Sequence, residues 1–256
     1  MKISKKRFAF FLLATLCFFI QGCGLATYYV LEAPECNDEK SADATDYSDK
    51  YFDFDTADSD NSVTTGYKGT KVYYKIYNNY NKLETHVSNI ESVNDDYSED
   101  GYDKMTGYDY QTFTFDDSDY SEDVTSSSYI KNNDNSDQVV AIRLITEGTS
   151  GSEYYTGIYL DKDSEDQLSS GNEDALVLRN NGDAFSIDTI SETIEDYVDD
   201  GETGTPDSDD DMYISSTSSD NWYIAAYAVA YGYDSSLSPF YSAVTYLGYI
   251  AFEYDD

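Results

Sequence analysis

The sequence predicts a mainly β fold, an antiparallel β-sandwich with one or two short helices and acidic loop insertions. Three observations carry the expectation. Apolar and aromatic residues alternate with period two over many short stretches, separated by clusters of Ser, Asn, Asp and Gly. Of 256 residues, 28 are Tyr and 40% are hydrophobic, a content too rich for the disorder that 51 acids against 15 Lys and Arg would suggest. Two nearly charge-free stretches close to the C-terminus read as buried central strands.

The chain opens with four cations in its first seven residues, then an apolar run of 13 residues from Phe8 to Ile20, then Gln21-Gly22-Cys23. A charged start, an apolar middle and a small residue at the cut make a secretory signal. The run falls short of the ~20 residues that a spanning helix needs. Residues 1–22 are therefore expected to be removed, leaving Cys23 first. An ordinary signal cut near Gly22 or Ala26 would instead leave Cys23 free. Residues 23–45 read as an N-terminal arm and linker. A strand is expected at Tyr28-Tyr29-Val30-Leu31, ending near Pro34, and residues 37–48 read as polar linker.

From residue 46 strands dominate. Residues 51–55 alternate, and residues 71–77 place Val72, Tyr74 and Ile76 on one face and Tyr73, Lys75 and Tyr77 on the other. Further strands are expected at 111–115, 138–145, 154–160, 175–178 and 184–187. Asn180-Asn181-Gly182-Asp183 is a hairpin turn by composition, since Asn and Gly tolerate positive φ. Two segments carry helical period. Residues 81–93 align Leu83, Val87 and Ile90, with Asn81 as N-cap and Glu84 three residues on, and residues 188–198 align Ile190, Ile194 and Tyr197. Both read as connectors over a sheet edge.

Between Trp222 and Phe252 the one charged residue is Asp234. Residues 222–231 and 240–252 flank a turn around Ser235-Ser236-Leu237-Ser238-Pro239, and each half is too short to span a membrane. The pattern is a buried hairpin with Tyr227, Val229 and Tyr231 on one face and Ala226, Ala228 and Ala230 on the other. Alternating large and small residues imply that both faces are covered.

Ile20-Gln21-Gly22-Cys23 resembles a bacterial lipobox of the relaxed, spirochaetal form. The resemblance implies that Cys23 is diacylated and its new amine acylated, which fixes the chain to a membrane through acyl chains worth ~0.8 kcal/mol per buried CH₂. Cys17 leaves with the signal, so Cys36 would be the one thiol left; were Cys23 not acylated, a Cys23–Cys36 disulfide would account for both. The run from Tyr223 to Gly232 followed by Ser235-Ser236-Leu237-Ser238-Pro239 is similar to the last two strands of fibronectin type III or immunoglobulin-like sandwiches. Residues 66–77 are similar to a middle strand of that plan. With Cys23-Gly24-Leu25-Ala26-Thr27-Tyr28-Tyr29, these islands resemble a group of Tyr/Asp-rich spirochaetal (treponeme-like) lipoproteins. The likeness implies a lipid-anchored cell-envelope protein of the outer membrane. One enlarged sandwich over residues 46–256 is favoured over two small ones, because the long acidic stretches fall between strands and ~100 residues would suffice for a simple domain.

Charge narrows the partners. Loss of residues 1–22 removes four cations and no acid, so the chain from Cys23 carries −40. Nucleic acid is excluded, because phosphate binding needs a basic face. An anionic bilayer would repel the body and leave attachment to the acyl chains. The remaining expected partner is a protein or carbohydrate ligand. Tyr97, Tyr102, Tyr108 and Tyr110 lie in an acidic insertion and are the first place to look for a recognition surface. Calcium has candidate acids but no complete loop. Asp96 to Gly101 begins like an EF-hand yet has Gly107 at the twelfth position, and the loop from Asp161 has Asn172 there. Asp207-Ser208-Asp209-Asp210-Asp211 could hold a hard cation loosely, although such blocks usually extend into water. His86, the sole imidazole, lies beside an apolar helical stripe and reads as a surface or half-packed residue. No cofactor, metal set or catalytic constellation is expected, and the chain is expected not to be an enzyme; the alternative is a calcium-dependent carbohydrate- or protein-binding surface module.

Overall fold

A computed structural model describes residues 30–116, 128–144, 157–161, 174–180, 211–215 and 221–253, together with 182, 185 and 190. Residues 1–22, read above as a signal, lie outside the described residues, as do Cys23, Tyr28 and Tyr29. So do the acids at 162–173 and 207–210, and the predicted helix at 188–198 except Ile190, which is buried.

The fold is mainly β with few short helices, and its layers match a sandwich. β1 (Glu35–Cys36), β3 (Tyr51–Asp55), β7 (Val139–Arg143) and β8 (Gly157–Leu160) form a four-stranded sheet in the order β1-β3-β7-β8, antiparallel throughout. The larger sheet runs β10 (Met212–Tyr213), β4 (Tyr67–Tyr77), β11 (Asn221–Tyr233), β13 (Thr245–Glu253) and β2 (Lys40–Ala42). β12 (Pro239–Tyr241) pairs with β11, and β5 (Gln111–Thr112) with β4. β6 (Thr114–Asp116) and β9 (Leu176–Leu178) make a separate two-stranded ribbon. Phe52, Phe54, Val140, Ile142, Ile158 and Leu160 of the small sheet meet Val72, Tyr74, Ile76, Ile224, Ala226, Ala228, Ile250 and Phe252 of the large one in one core.

The predicted alternation of β4 and β11 is realised. Val72, Tyr74, Ile76, Ala226 and Ala228 enter the core between the sheets, and Tyr73, Tyr77, Tyr227 and Val229 enter a second cluster on the outer face. β11 lies between β4 and β13, so the charge-free hairpin is central. At Gly248 the φ is +91° and a Cβ would sit 2.0 Å from the Lys40 carbonyl oxygen, so glycine is what allows β2 to dock along β13.

Several expectations need correction. The pairings β10–β4 and β13–β2 are parallel, so the large sheet is mixed at its edges. No strand precedes Pro34 among the described residues; β1 begins after it, because Leu31 is held instead by Tyr67, Ala230 and Phe240, and Glu32 by reciprocal bonds with Asn61. The presumed linker at 37–48 contains β2, where buried Lys40 sits on Asp38 at 3.0 Å and Asp53 at 3.7 Å and so tolerates a polar sequence. The strand expected at 111–115 is split by Phe113, which turns into the core while its N–H bonds to the Val72 carbonyl at 2.9 Å.

The helix expected at 81–93 is α2 (Tyr80–Glu91), preceded by the short α1 (Asp58–Asn61). Its N-cap is Asn79, whose side chain accepts from the Lys82 N–H at 3.0 Å, and Asn81 lies inside the first turn. Leu83, Val87 and Ile90 are buried as predicted, but against the outer face of β4 and β11 rather than over an edge. α3 (Asp100–Thr106) takes up the end of the EF-hand-like stretch. A Cβ at Gly101 would meet the Asn94 side chain at 2.3 Å, and Asn94 bonds in both directions with the Val244 backbone at 2.8 and 2.9 Å. That glycine serves packing, not a cation loop.

Candidate functional site

The outer face of the large sheet gathers eleven of the described tyrosines. The helices α2 and α3 lie on it and bury its centre. Tyr110 is 3% exposed, and Tyr102 and Tyr108 pack on the same cluster. Tyr102 stacks on Tyr241 at 3.6 Å and meets the Tyr73 hydroxyl at 3.3 Å. Of the four tyrosines expected to form a recognition surface, only Tyr97, 82% exposed, stands in solvent. The other three fill the groove under the helices, because the acidic insertion folds into α3 and brings its aromatic positions down onto β4, β11 and β12.

His86 belongs to this interior and is not a surface residue. Its Nδ1 lies 3.0 Å from the Tyr77 hydroxyl, and its ring stacks on Tyr108 at 3.8 Å and 2°. Burial, with Lys82, Lys75 and Lys104 adding repulsion, lowers its pKa from 6.5 to about 3. A neutral, enclosed imidazole here holds Tyr77. Burial also pushes the phenols of Tyr77 and Tyr227 well above their ordinary range, and the Tyr227 hydroxyl makes no hydrogen bond among the described residues.

The open part of the aromatic face lies at its edge. Tyr80, Tyr223 and Tyr249 form a triplet with ring centroids 5.3 to 5.8 Å apart, and Tyr80 donates to Glu84 at 2.8 Å. Its bonds to Tyr249 and Glu84 raise the Tyr80 phenol above its usual value. The triplet joins the helix start to β11 and β13, which lie far away in sequence, so period alone gives no sign of it. Rigid rings beside a carboxylate suit a polar ligand with apolar faces.

Three charged sites complete the picture. The first is Asp211, the last residue of the acidic block expected in solvent. It is buried beside β10 and accepts from Arg179 Nη2 at 2.6 Å, Arg179 Nε at 2.8 Å and the Tyr74 hydroxyl at 2.5 Å. The pair is bidentate and closed, which suits a structural clamp. The second is Lys50, fully buried with its ammonium on the Ala44 carbonyl and 3.7 Å from the centroid of the Tyr47 ring. Burial lowers it to about 8, against the pull of Glu253, Asp43 and Asp46. The third is a polar pocket of about 320 Å³ lined by Asn132, Gln138, Asp161 and Asp174. Gln138 is 6% exposed, and its Oε1 has no hydrogen-bond partner among the described residues.

No three His, Cys, Asp or Glu side chains converge to hold a metal among the described residues. Cys36 is unpaired among them, half-buried, and raised to about 11 by burial. Comparison with known proteins adds no relative: no family model, no curated protein and no solved structure matches the chain.

Proposed function

We propose that the chain is a lipid-anchored protein of the cell envelope, at the outer membrane, acting as a non-enzymatic binding or structural module. The observation that carries the reading is the Ile20-Gln21-Gly22-Cys23 sequence closing an apolar run of 13 residues behind four cations. Cys23 is the acylated residue. Binding is supported by the open Tyr80, Tyr223 and Tyr249 triplet, which suits a protein or carbohydrate ligand. Radiolabelled palmitate should enter the wild type and disappear from Cys23→Ala; unchanged incorporation would refute the anchor. Protease added to intact cells tells a surface-facing protein, which is cleaved, from a periplasmic one.

The immunoglobulin- or fibronectin-like plan is part of this proposal. Support comes from strand order: β1-β3-β7-β8 can be laid on the A-B-E-D sheet of that plan, and β4, β11 and β13 on C, F and G. The chain departs from it where inner β7 precedes edge β8, the reverse of D before E.

A second reading, calcium-dependent binding, is favoured by the pocket of Gln138, Asp161 and Asp174, which offers oxygen ligands and a buried amide oxygen without a partner. Millimolar calcium should then raise the melting temperature, and an unchanged melting temperature would dispose of it.

A further inference from the structure

We infer that the sandwich is not merely tethered but rests one defined end on the bilayer, with Val63 and Leu237 dipping into the lipid surface. The inference rests on acylation of Cys23, and its first support is where the described chain begins. Leu31 is pinned against Tyr67, Ala230 and Phe240, and Glu32 against Asn61, so Val30 lies at the end of the sandwich where β4 starts and β11 stops. Six residues separate Cys23 from Val30, and the seven Cα steps fully extended reach at most ~25 Å. The segment that leads to the acyl chains therefore joins the fold at this end.

Exposed apolar side chains collect at the same end. Val63 is 88% exposed, Leu237 80%, Val30 41% and Tyr233 38%. Gly66 and Tyr233 are joined by a backbone bond of 3.0 Å, which sets the loop carrying Val63 beside the turn carrying Leu237. Beside Leu237 lies a cavity of about 530 Å³ lined by Thr65, Gly66, Lys68, Tyr233, Asp234, Ser235 and Leu237. Leu237 is held outward by a built turn. Asp234 accepts from the Ser236 and Ser238 N–H groups at 2.7 and 2.8 Å, and its carbonyl accepts from Leu237 at 3.0 Å. A leucine at φ +63°, where glycine or asparagine would be unstrained, and open to water besides, serves neither the turn nor solubility. Contact with lipid gives it a use.

Charge at the contact end is mixed, and the densest acid lies elsewhere. Exposed Lys68 lies on the contact end, and Asp234 is occupied by its own turn. Asp43, Asp46 and Asp49 follow β2, which runs parallel to β13 toward the Asn221 end of β11. Along β4 and β11 the pairs Gly232–Tyr67 and Ile224–Ile76 are nine β4 residues apart, ~30 Å of strand. That distance is several times the ~8 Å over which salt screens charge, so these three acids add little repulsion at the contact end. Asp43, Asp46 and Asp49 face away from the membrane, while Glu32, Asp60 and Asp234 share the contact end with Lys68.

The test places a nitroxide at Leu237→Cys, Val63→Cys and, as the distant control, exposed Asn81→Cys, each in a Cys36→Ser background. The full-length acylated protein is carried in vesicles of phosphatidylethanolamine and phosphatidylglycerol. Collision with lipid-dissolved oxygen relative to a water-soluble nickel chelate should be several-fold higher at 237 and 63 than at 81. Vesicle-bound protein with equal ratios at all three sites would overturn the contact and leave the anchor standing. Spin–spin broadening at 237 that grows with protein-to-lipid ratio would overturn it in favour of a second copy. An N-terminal peptide whose mass lacks acyl groups, in protein that does not float with the vesicles, would mean that the anchor itself has failed and the contact with it.

Discussion

The buried, neutral His86 should make this protein lose stability as pH falls below 6.5. The imidazole is 5% exposed, bonded to Tyr77 and stacked on Tyr108, with a pKa lowered to about 3 against 6.5 in an unfolded chain. A group depressed on folding is protonated first in the unfolded state, so the stability tied to its neutral form is complete above 6.5. It drains away as pH falls from there toward 3. Between pH 7 and pH 4.5 the unfolded state gains about two pKa units of protonation that the folded state does not share, ~2.5 kcal/mol. Against a typical total of ~5–15 kcal/mol this is large. Easing of the strong negative charge over the same range works in the opposite direction, so the comparison must be with His86→Phe. That variant keeps a ring on Tyr108 and removes the partner of the Tyr77 hydroxyl, a constant loss of ~1–3 kcal/mol at every pH. Urea midpoints followed through Trp222, the single tryptophan and 3% exposed, report both proteins. The wild type should lose ~2.5 kcal/mol more than His86→Phe between the two pH values; parallel losses would refute the buried neutral imidazole.

Other perturbations follow from the same structure. Asp211→Ala strands the Arg179 guanidinium and the Tyr74 hydroxyl inside the fold, and should cost ~3–5 kcal/mol in urea unfolding, with Asp211→Leu combined with Arg179→Met recovering most of it. Gly248→Ala forces a Cβ against the Lys40 backbone at a positive φ, and should cost at least ~2 kcal/mol while loosening hydrogen-exchange protection along β2 and β13. Cys23→Ala should release the protein from membranes with its melting temperature unchanged, since Cys23 precedes every residue placed in the two sheets.

Much of the β framework was legible because period two survives without knowledge of partners. Residues 51–55 and 71–77 alternate in sequence as they do in β3 and β4, and the charge-free hairpin could only be central. The helix at 80–91 was legible from Leu83, Val87 and Ile90, although its cap was misplaced by two residues, because Asn79 and Asn81 are chemically equal until one is seen to accept from Lys82. The candidate aromatic surface was hardly legible. Tyr102, Tyr108 and Tyr110 carry no period that separates a recognition loop from a helix folded onto a sheet, and Tyr80, Tyr223 and Tyr249 are scattered along the chain.

The sequence by itself determined the class of the fold, its central strands and the expectation of an anchor at Cys23, since each depends on local composition and spacing. Only the tertiary structure decided which polar groups leave water. Asp211 pairs with Tyr74 across 137 residues and Asn94 with Val244 across 150. Lys40, Lys50 and Lys75 are buried where a linear reading places charge in solvent. A buried charge depends on the partner that compensates its lost hydration, and that partner is chosen by the path of the chain in space.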